Sequence, residues 1–176
     1  LWVIGPPLRD CLSKILGTND PAVIEHAVSR YRHWYVHEGL MYRDTPYAGV
    51  RELLTALQQK GYRMYIATAK AHAYGRKILE HWGLHTFFEE IHGSELDGTR
   101  SNKADLIQWL LERHKITASP SVVMIGDRKH DAVAAKANGI VSLGVGYGYG
   151  TYEELKDAGV DHYCATMEDL SQHLLQ

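Results

Sequence analysis

The chain has 176 residues, 45% of them hydrophobic and 23% charged, with 19 Lys+Arg against 21 Asp+Glu and a formal charge of −2. This is the make-up of one globular domain, or of one domain with a small appendage, and a chain of ~150 residues or more buries enough surface to need no disulfide or metal staple. The balanced charge excludes the broad basic face of non-specific nucleic-acid binding, and no apolar run approaches the ~20 residues of a membrane helix, so neither nucleic acid nor membrane is expected as a partner. Cys11 and Cys164 stand far apart with no CxxC partner, which suits a reducing cytoplasm and argues against a zinc site. Leu1-Trp2-Val3-Ile4-Gly5 is too short and uncharged for a signal peptide.

The first 45 or so residues contain no convincing strand. A helix is expected over Leu8–Leu16, closed by Gly17, and a second starts at Asp20-Pro21, with Asp as N-cap and Pro in the first turn. In the second helix Val23, Ile24, Ala27, Val28, Tyr31 and Tyr35 form one apolar stripe, and Trp34 is expected to join Tyr31 and Tyr35 in its core, unless one of the three lines a substrate entrance. Arg43-Asp44-Thr45-Pro46 is polar and Pro-bounded, which sets a boundary between a helical piece and an α/β body. From Tyr62 onward, apolar runs alternate with amphipathic stretches, the pattern of βαβ units and a parallel sheet. The expected strands are Tyr62–Ala67, Phe88–His92, Ser121–Ile125, Ile140–Val145 and His162–Cys164. The helical spacing between them falls on Leu53/Leu54/Leu57, Ile78/Leu79/Trp82, Leu106/Ile107/Leu110/Leu111 and Val133/Ala134/Ala137. Gly61, Gly83 and Gly139 follow three of these helices as C-terminal glycines, and Thr151 with Glu154 has the spacing of a capping box.

Three short segments could carry chemistry. Gly126-Asp127-Arg128-Lys129-His130-Asp131 follows a buried strand, at the carboxyl end where open α/β sheets bind ligands. Asp127 and Asp131 can then face one crevice and offer hard oxygens suited to Mg²⁺; read alone, Asp127 could equally cap the next helix. Ile66-Ala67-Thr68-Ala69-Lys70 also closes a strand, so the Thr68 hydroxyl and following N–H groups suit a phosphate oxygen, although a lone Thr there reads first as a helix cap. Lys103 opens a helix, where a cation opposes the dipole unless an anion lies beside it; alone, it reads first as a solvated surface lysine.

Thr after one strand, Lys at a later helix start, and Gly-Asp-x-x-x-Asp after a further strand: in this order the three segments resemble the haloacid dehalogenase-like hydrolase superfamily. The nearest branch is that of the phosphoglycolate phosphatases and related phosphate-monoester hydrolases. Ile4-Gly5-Pro6-Pro7-Leu8, Lys70, Gly146-Tyr147-Gly148-Tyr149-Gly150 and Glu153-Glu154-Leu155 add to that likeness. The resemblance implies a three-layer, Rossmann-like parallel sheet core (residues 46–176) with part of a helical cap (residues 1–45). It also implies that Thr68, Ala69, Lys70 and Lys103 bind the phosphoryl group, that Asp127 binds Mg²⁺, and that Asp131 supports the metal through water or through Lys103. Lys103, Asp127 and Asp131 are thereby the implied catalytic residues, and a small phosphorylated metabolite the implied partner of a monomer or homodimer.

One departure concerns the nucleophile. The family's Asp-x-Asp-Gly-Thr motif on the first strand is not present, and Asp97-Gly98-Thr99 lies where the family has a loop. The implied aspartyl-phosphate route therefore needs a residue beyond this sequence, and the sequence by itself is expected to be inactive. In the family the missing strand lies between those of Thr68 and Asp127, so two open strand edges are expected in its absence. Phosphoglycolate is the first substrate expectation, with nucleoside monophosphates and sugar phosphates beside it. The rivals are a non-catalytic phosphate-sensing or scaffold relative and a phosphoacceptor receiver domain. The latter needs its Asp cluster before the Thr, the reverse of the order here.

Two further signals point elsewhere. His33 and His37 have metal-ligand spacing but no third ligand, and read as cap-surface histidines. Gly144-x-Gly146-x-Gly148-x-Gly150 has Tyr149 where a dinucleotide fingerprint needs Gly, and reads as a permissive turn near the phosphate site. Arg9, Arg32 and Arg43 could meet a substrate carboxylate, or be plain surface arginines.

Overall fold

The computed structural model describes residues 3–176; Leu1 and Trp2, and the expectation for the chain's start that rests on them, lie outside it. Helices α1 (Leu8–Leu16) and α2 (Pro21–His37) come first, followed by a 3-10 turn at Leu40–Tyr42. The α/β body then runs α3 (Val50–Gln59), β1 (Tyr65–Ala71), α4 (His72–His81), β2 (Glu90–Ser94), α5 (Lys103–Arg113), β3 (Val123–Gly126), α6 (Lys129–Ala137), β4 (Val141–Val145), α7 (Tyr152–Asp157), β5 (His162–Cys164) and α8 (Met167–Leu175).

Local chemistry sets most of these boundaries. Gly17 closes α1 in the left-handed conformation, and the Asp20 carboxylate accepts the Ala22 N–H at the head of α2 with Pro21 at the first helical position. Thr151 caps α7 by accepting the Glu154 N–H, but the Glu154 carboxylate does not return to Thr151: it reaches Arg128 and Lys129 instead. The expected strand at Tyr62 begins three residues later, because the Tyr62 N–H still closes α3 on Leu57 O.

All strand pairs are parallel, in two separate sheets: β1–β2, and β3–β4–β5. β1 and β3 do not pair, and β3 carries Val123 and Ile125 exposed along its length. This is the split with two open edges expected where the family's first strand is missing. On one face of the larger sheet Leu53, Leu57, Leu143, Val145, Cys164 and Leu170 join α3 and α8 to β4 and β5. On the other, Ile107, Ala134, Ala135 and Ile140 of α5, α6 and the start of β4 pack with Ala67 of β1 and Met124 of β3, so one core spans both sheets. Leu106, Leu143 and Leu155 are each 1% exposed and contribute about 1.5–3 kcal/mol apiece by burial. Ser142, also buried, is satisfied by Asp161, whose Oδ2 accepts both its N–H (2.8 Å) and its hydroxyl (2.7 Å).

The helical region departs from its expected stripe. Of that stripe Val28 and Tyr35 are buried, while Val23, Tyr31 and the neighbouring Trp34 are exposed, as is Val133 on α6. Among the described residues no helix is long and apolar enough to cross a membrane.

Candidate active site

β3 ends at Gly126, and the chain turns through Asp127 into α6, whose N-cap is Arg128. Asp131 occupies the third helical position and its Oδ2 accepts the Arg128 N–H at 3.0 Å, a negative group in the first turn where the helix dipole favours it. Its other oxygen accepts from Lys103 Nζ at 2.6 Å, with both side chains largely buried. The anion that a lysine at the start of α5 requires is therefore Asp131. Gly126 permits this approach, since a Cβ there would overlap the Asp131 side chain.

Asp127 does not cap α6. Its Oδ2 accepts the Tyr149 N–H at 2.7 Å from the loop after β4, and its Oδ1 has no donor among the described residues. That loop is the glycine run: a Cβ on Gly148 would overlap the Asp127 side chain, and one on Gly150 its carbonyl. These glycines serve close backbone approach to Asp127. Arg128, buried beside them, pairs with Glu154 (2.8 Å) and also donates to Ile4 O, which ties the Ile4-Gly5-Pro6-Pro7 segment to this corner. Against the push of burial, the Arg128 guanidinium and the Lys129 N–H hold the Glu154 carboxyl below its usual range.

Thr68 is not a helix cap, since α4 begins only at His72. It lies within β1, where the register with β2 shifts between Thr68 and Ala71, and its hydroxyl accepts the Lys70 N–H at 3.1 Å. Gly93 on β2 makes room for this irregularity, because a Cβ there would overlap Lys70 O. The bulge turns Lys70 toward α2: its ammonium contacts the Tyr35 hydroxyl and lies 4.7 Å from that ring's centre. Burial lowers the Lys70 pKa and raises that of Tyr35 to about 12.

Thr68, Ala69, Lys70, Lys103, Asp127 and Asp131 all line one cavity of 920 Å³, so every residue singled out for this site in the sequence faces the same space. Tyr31 and Tyr35, stacked with ring centres 5.4 Å apart and 14° between planes, form its helical wall. Arg9 and Arg32 line it too, but both donate to Leu96 O, and Arg9 is paired with Glu25 at 2.5 Å; Arg43 does not reach it. The Asp97-Gly98-Thr99 turn lies on the rim, where the Asp97 carboxylate accepts the Thr99 N–H at 2.8 Å. Tyr47, Tyr149 and Arg128 also line the cavity; Arg128 and Tyr149 stand inside the Gly-Asp segment and the glycine run, whereas no spacing in the sequence marks Tyr47.

Residues 2–145 match the family described as haloacid dehalogenase-like hydrolase. A protein of Pseudomonas aeruginosa named 5'-nucleotidase is 41% identical over 97% of this chain and 76% of its own length. The tyrosine-protein kinase PtkA of Mycobacterium bovis is 33% identical over 98% of the chain, which spans 58% of that protein. A phosphoglycolate phosphatase of Aliivibrio fischeri is 32% identical over 81% of this chain and 62% of its own. Among solved structures, a predicted phosphatase from Clostridium acetobutylicum superposes with a TM-score of 0.93 at 35% identity, covering 99% of this chain and 79% of that one. On these grounds the chain belongs to the haloacid dehalogenase-like hydrolase family.

Proposed function

We propose that the protein is a Mg²⁺-dependent hydrolase of small phosphate monoesters, working through an aspartyl-phosphate whose nucleophile lies outside these 176 residues. The observation that carries this reading is the convergence of Thr68, Lys103, Asp127 and Asp131 on one cavity, with Lys103 paired to Asp131. Phosphoryl transfer is mostly positioning and electrostatic stabilisation of equatorial oxygens. Lys103 supplies a fixed positive charge for those oxygens. The Thr68 hydroxyl and the Ala69 N–H would add hydrogen bonds from the irregular stretch of β1. Asp131 has both oxygens engaged, so it positions Lys103 and the turn into α6.

The donor set fits Mg²⁺. Asp127 presents an oxygen without a donor among the described residues, on a carboxylate steadied by the Tyr149 N–H, and hard carboxylate oxygens are the ligands this ion prefers. Bound there, the metal would neutralise phosphoryl charge. The open space between β1 and β3 has Thr68 on one side and Asp127 on the other, which is where a strand carrying the nucleophile would have to lie.

Within the monoesters we place nucleoside 5'-monophosphates ahead of phosphoglycolate. The Tyr31–Tyr35 stack offers a flat aromatic wall suited to a nucleobase, a surface that a two-carbon acid cannot use, and the 5'-nucleotidase relative agrees with it. The test is phosphate release by the full-length protein with Mg²⁺ from nucleoside 5'-monophosphates, phosphoglycolate and sugar phosphates. Preferred turnover of a nucleotide supports the reading, and preferred turnover of phosphoglycolate replaces the substrate class. Absence of phosphate release from every monoester, or transfer to a tyrosine peptide with no hydrolysis, overturns the proposal.

A further inference from the structure

Where the start of β2 meets the end of α5, two histidines and a glutamate come together. Glu90 and His92 are two apart on the strand and share a face. His114 is the C-cap of α5, which packs against β2. Glu90 Oε2 lies 2.8 Å from His92 Nε2 and 3.5 Å from His114 Nε2, and the two Nε2 atoms are 3.4 Å apart. None of the three lines the cavity that holds Asp127.

We propose that Glu90, His92 and His114 form a binding site for a divalent metal ion of the zinc class, separate from the phosphate site. Bonds of about 2.0–2.2 Å in tetrahedral geometry set neighbouring ligand atoms roughly 3.3–3.5 Å apart. Two of the three separations match that spacing. The third is shorter, as expected of a hydrogen bond that the metal would replace. A proton can satisfy only one of these contacts at a time, whereas a cation at the common point accepts a lone pair from all three atoms.

The imidazoles are already held for such a ligand. The His92 and His114 side chains are 9% and 12% exposed. Trp109 packs edge-on against His92, with centres 4.8 Å apart, and Tyr65 lies 4.5 Å from the His114 ring. Glu90 and His92 border a second cavity of 570 Å³, which gives an ion a way in and leaves room for a water as the fourth ligand. Neither cysteine takes part, so the cysteine spacing says nothing against this site. The ion would tie β2 to the end of α5. One group competes with it: Arg113 reaches Glu90 with Nε at 3.1 Å and Nη2 at 3.3 Å.

Equilibrium dialysis of the full-length protein against Zn²⁺ tests the proposal, with Co²⁺ absorption reporting the geometry. One tightly held Zn²⁺ per chain is expected, with intense tetrahedral-type Co²⁺ bands. His114→Gln should weaken uptake at least tenfold, on the order of what metal-site partners contribute, while Asp127→Asn and the double variant His33→Gln/His37→Gln leave it unchanged. Arg113→Ala frees Glu90 and should tighten binding, a gain that misfolding cannot imitate and that keeps the test decisive if His114→Gln does not fold. No Zn²⁺ uptake by the unaltered protein, uptake indifferent to His114, or uptake lost only with His33 and His37 or with Asp127 would overturn it.

Discussion

The two walls of the phosphate cavity are held in different ways. On the β3 side Asp131 is fixed by Lys103 and by the Arg128 N–H, Asp127 by the Tyr149 N–H, and the backbone closes around them at glycines where an added Cβ would force a neighbour to move. On the helical side the tyrosines lean on one another, Tyr31 stays exposed, and Arg9 and Arg32 are held by the Leu96 carbonyl and, for Arg9, by Glu25. A group that must meet developing charge gains from being placed before the substrate arrives. A wall that only selects among substrates can be softer, because flat aromatic faces tolerate small displacements. The difference separates rate from selectivity, and substitutions on the two walls should behave accordingly.

Among residues that support the site without touching substrate, the largest effect is expected on the β3 side from Gly148→Ala. Its new Cβ meets the Asp127 side chain, and displacement of a reacting group by about 1 Å costs on the order of 10²-fold in rate. Steady-state kinetics should show the loss in kcat for every substrate alike; a change confined to KM would mean that Asp127 does not act on the reacting group. The helical wall should answer with a smaller and selective effect. Tyr31→Ala is expected to raise KM for a nucleoside monophosphate about tenfold, the scale of one lost stacking face, and to leave phosphoglycolate kinetics unchanged. An equal effect on both substrates would remove the tyrosine stack from substrate recognition.

The smallest effect concerns the support behind the β3 wall. The Glu154 carboxyl is held below its usual range in the folded protein, so its stabilising contribution is complete above the ordinary glutamate value of about 4.3 and is lost as pH falls through the lower folded value. The pair with Arg128 is partly exposed, so Glu154→Gln should cost about 1 kcal/mol near neutral pH. The cost should shrink in acid, read as a narrowing gap between the two proteins' denaturation midpoints. A gap that stays constant with pH would assign Glu154 a packing role alone.

Much of this arrangement is legible in the amino-acid sequence, for identifiable reasons. The bounds of α1 and β5 come out residue for residue, because a left-handed glycine ends the helix and the short strand stands between clear turns. The three phosphate-site segments each lie at the end of a strand or the start of a helix, and their order along the chain identifies the family. What periodicity cannot say is which elements cover a face: it marks Val23, Tyr31 and Val133 as apolar-side residues, and all three are exposed. Nor does it show a bulge such as the one that carries β1 on to Ala71 and turns Lys70 toward Tyr35, since that depends on Gly93 of the neighbouring strand. The Glu90, His92 and His114 group is hidden for a similar reason. His114 lies 22 residues beyond His92 and joins it only through the packing of α5 on β2.

The most direct test of the phosphate site is the turnover of Asp127→Asn in the full-length protein with Mg²⁺ and a nucleoside monophosphate. The substitution keeps the size of the side chain and an oxygen for the Tyr149 N–H, and removes the negative charge. A fall in kcat of roughly 10²–10³-fold or more, the scale of losing one preorganised electrostatic partner, with folding unchanged, is the expected result. Turnover equal to that of the unaltered protein would contradict the assignment of this cavity as the site of phosphate chemistry.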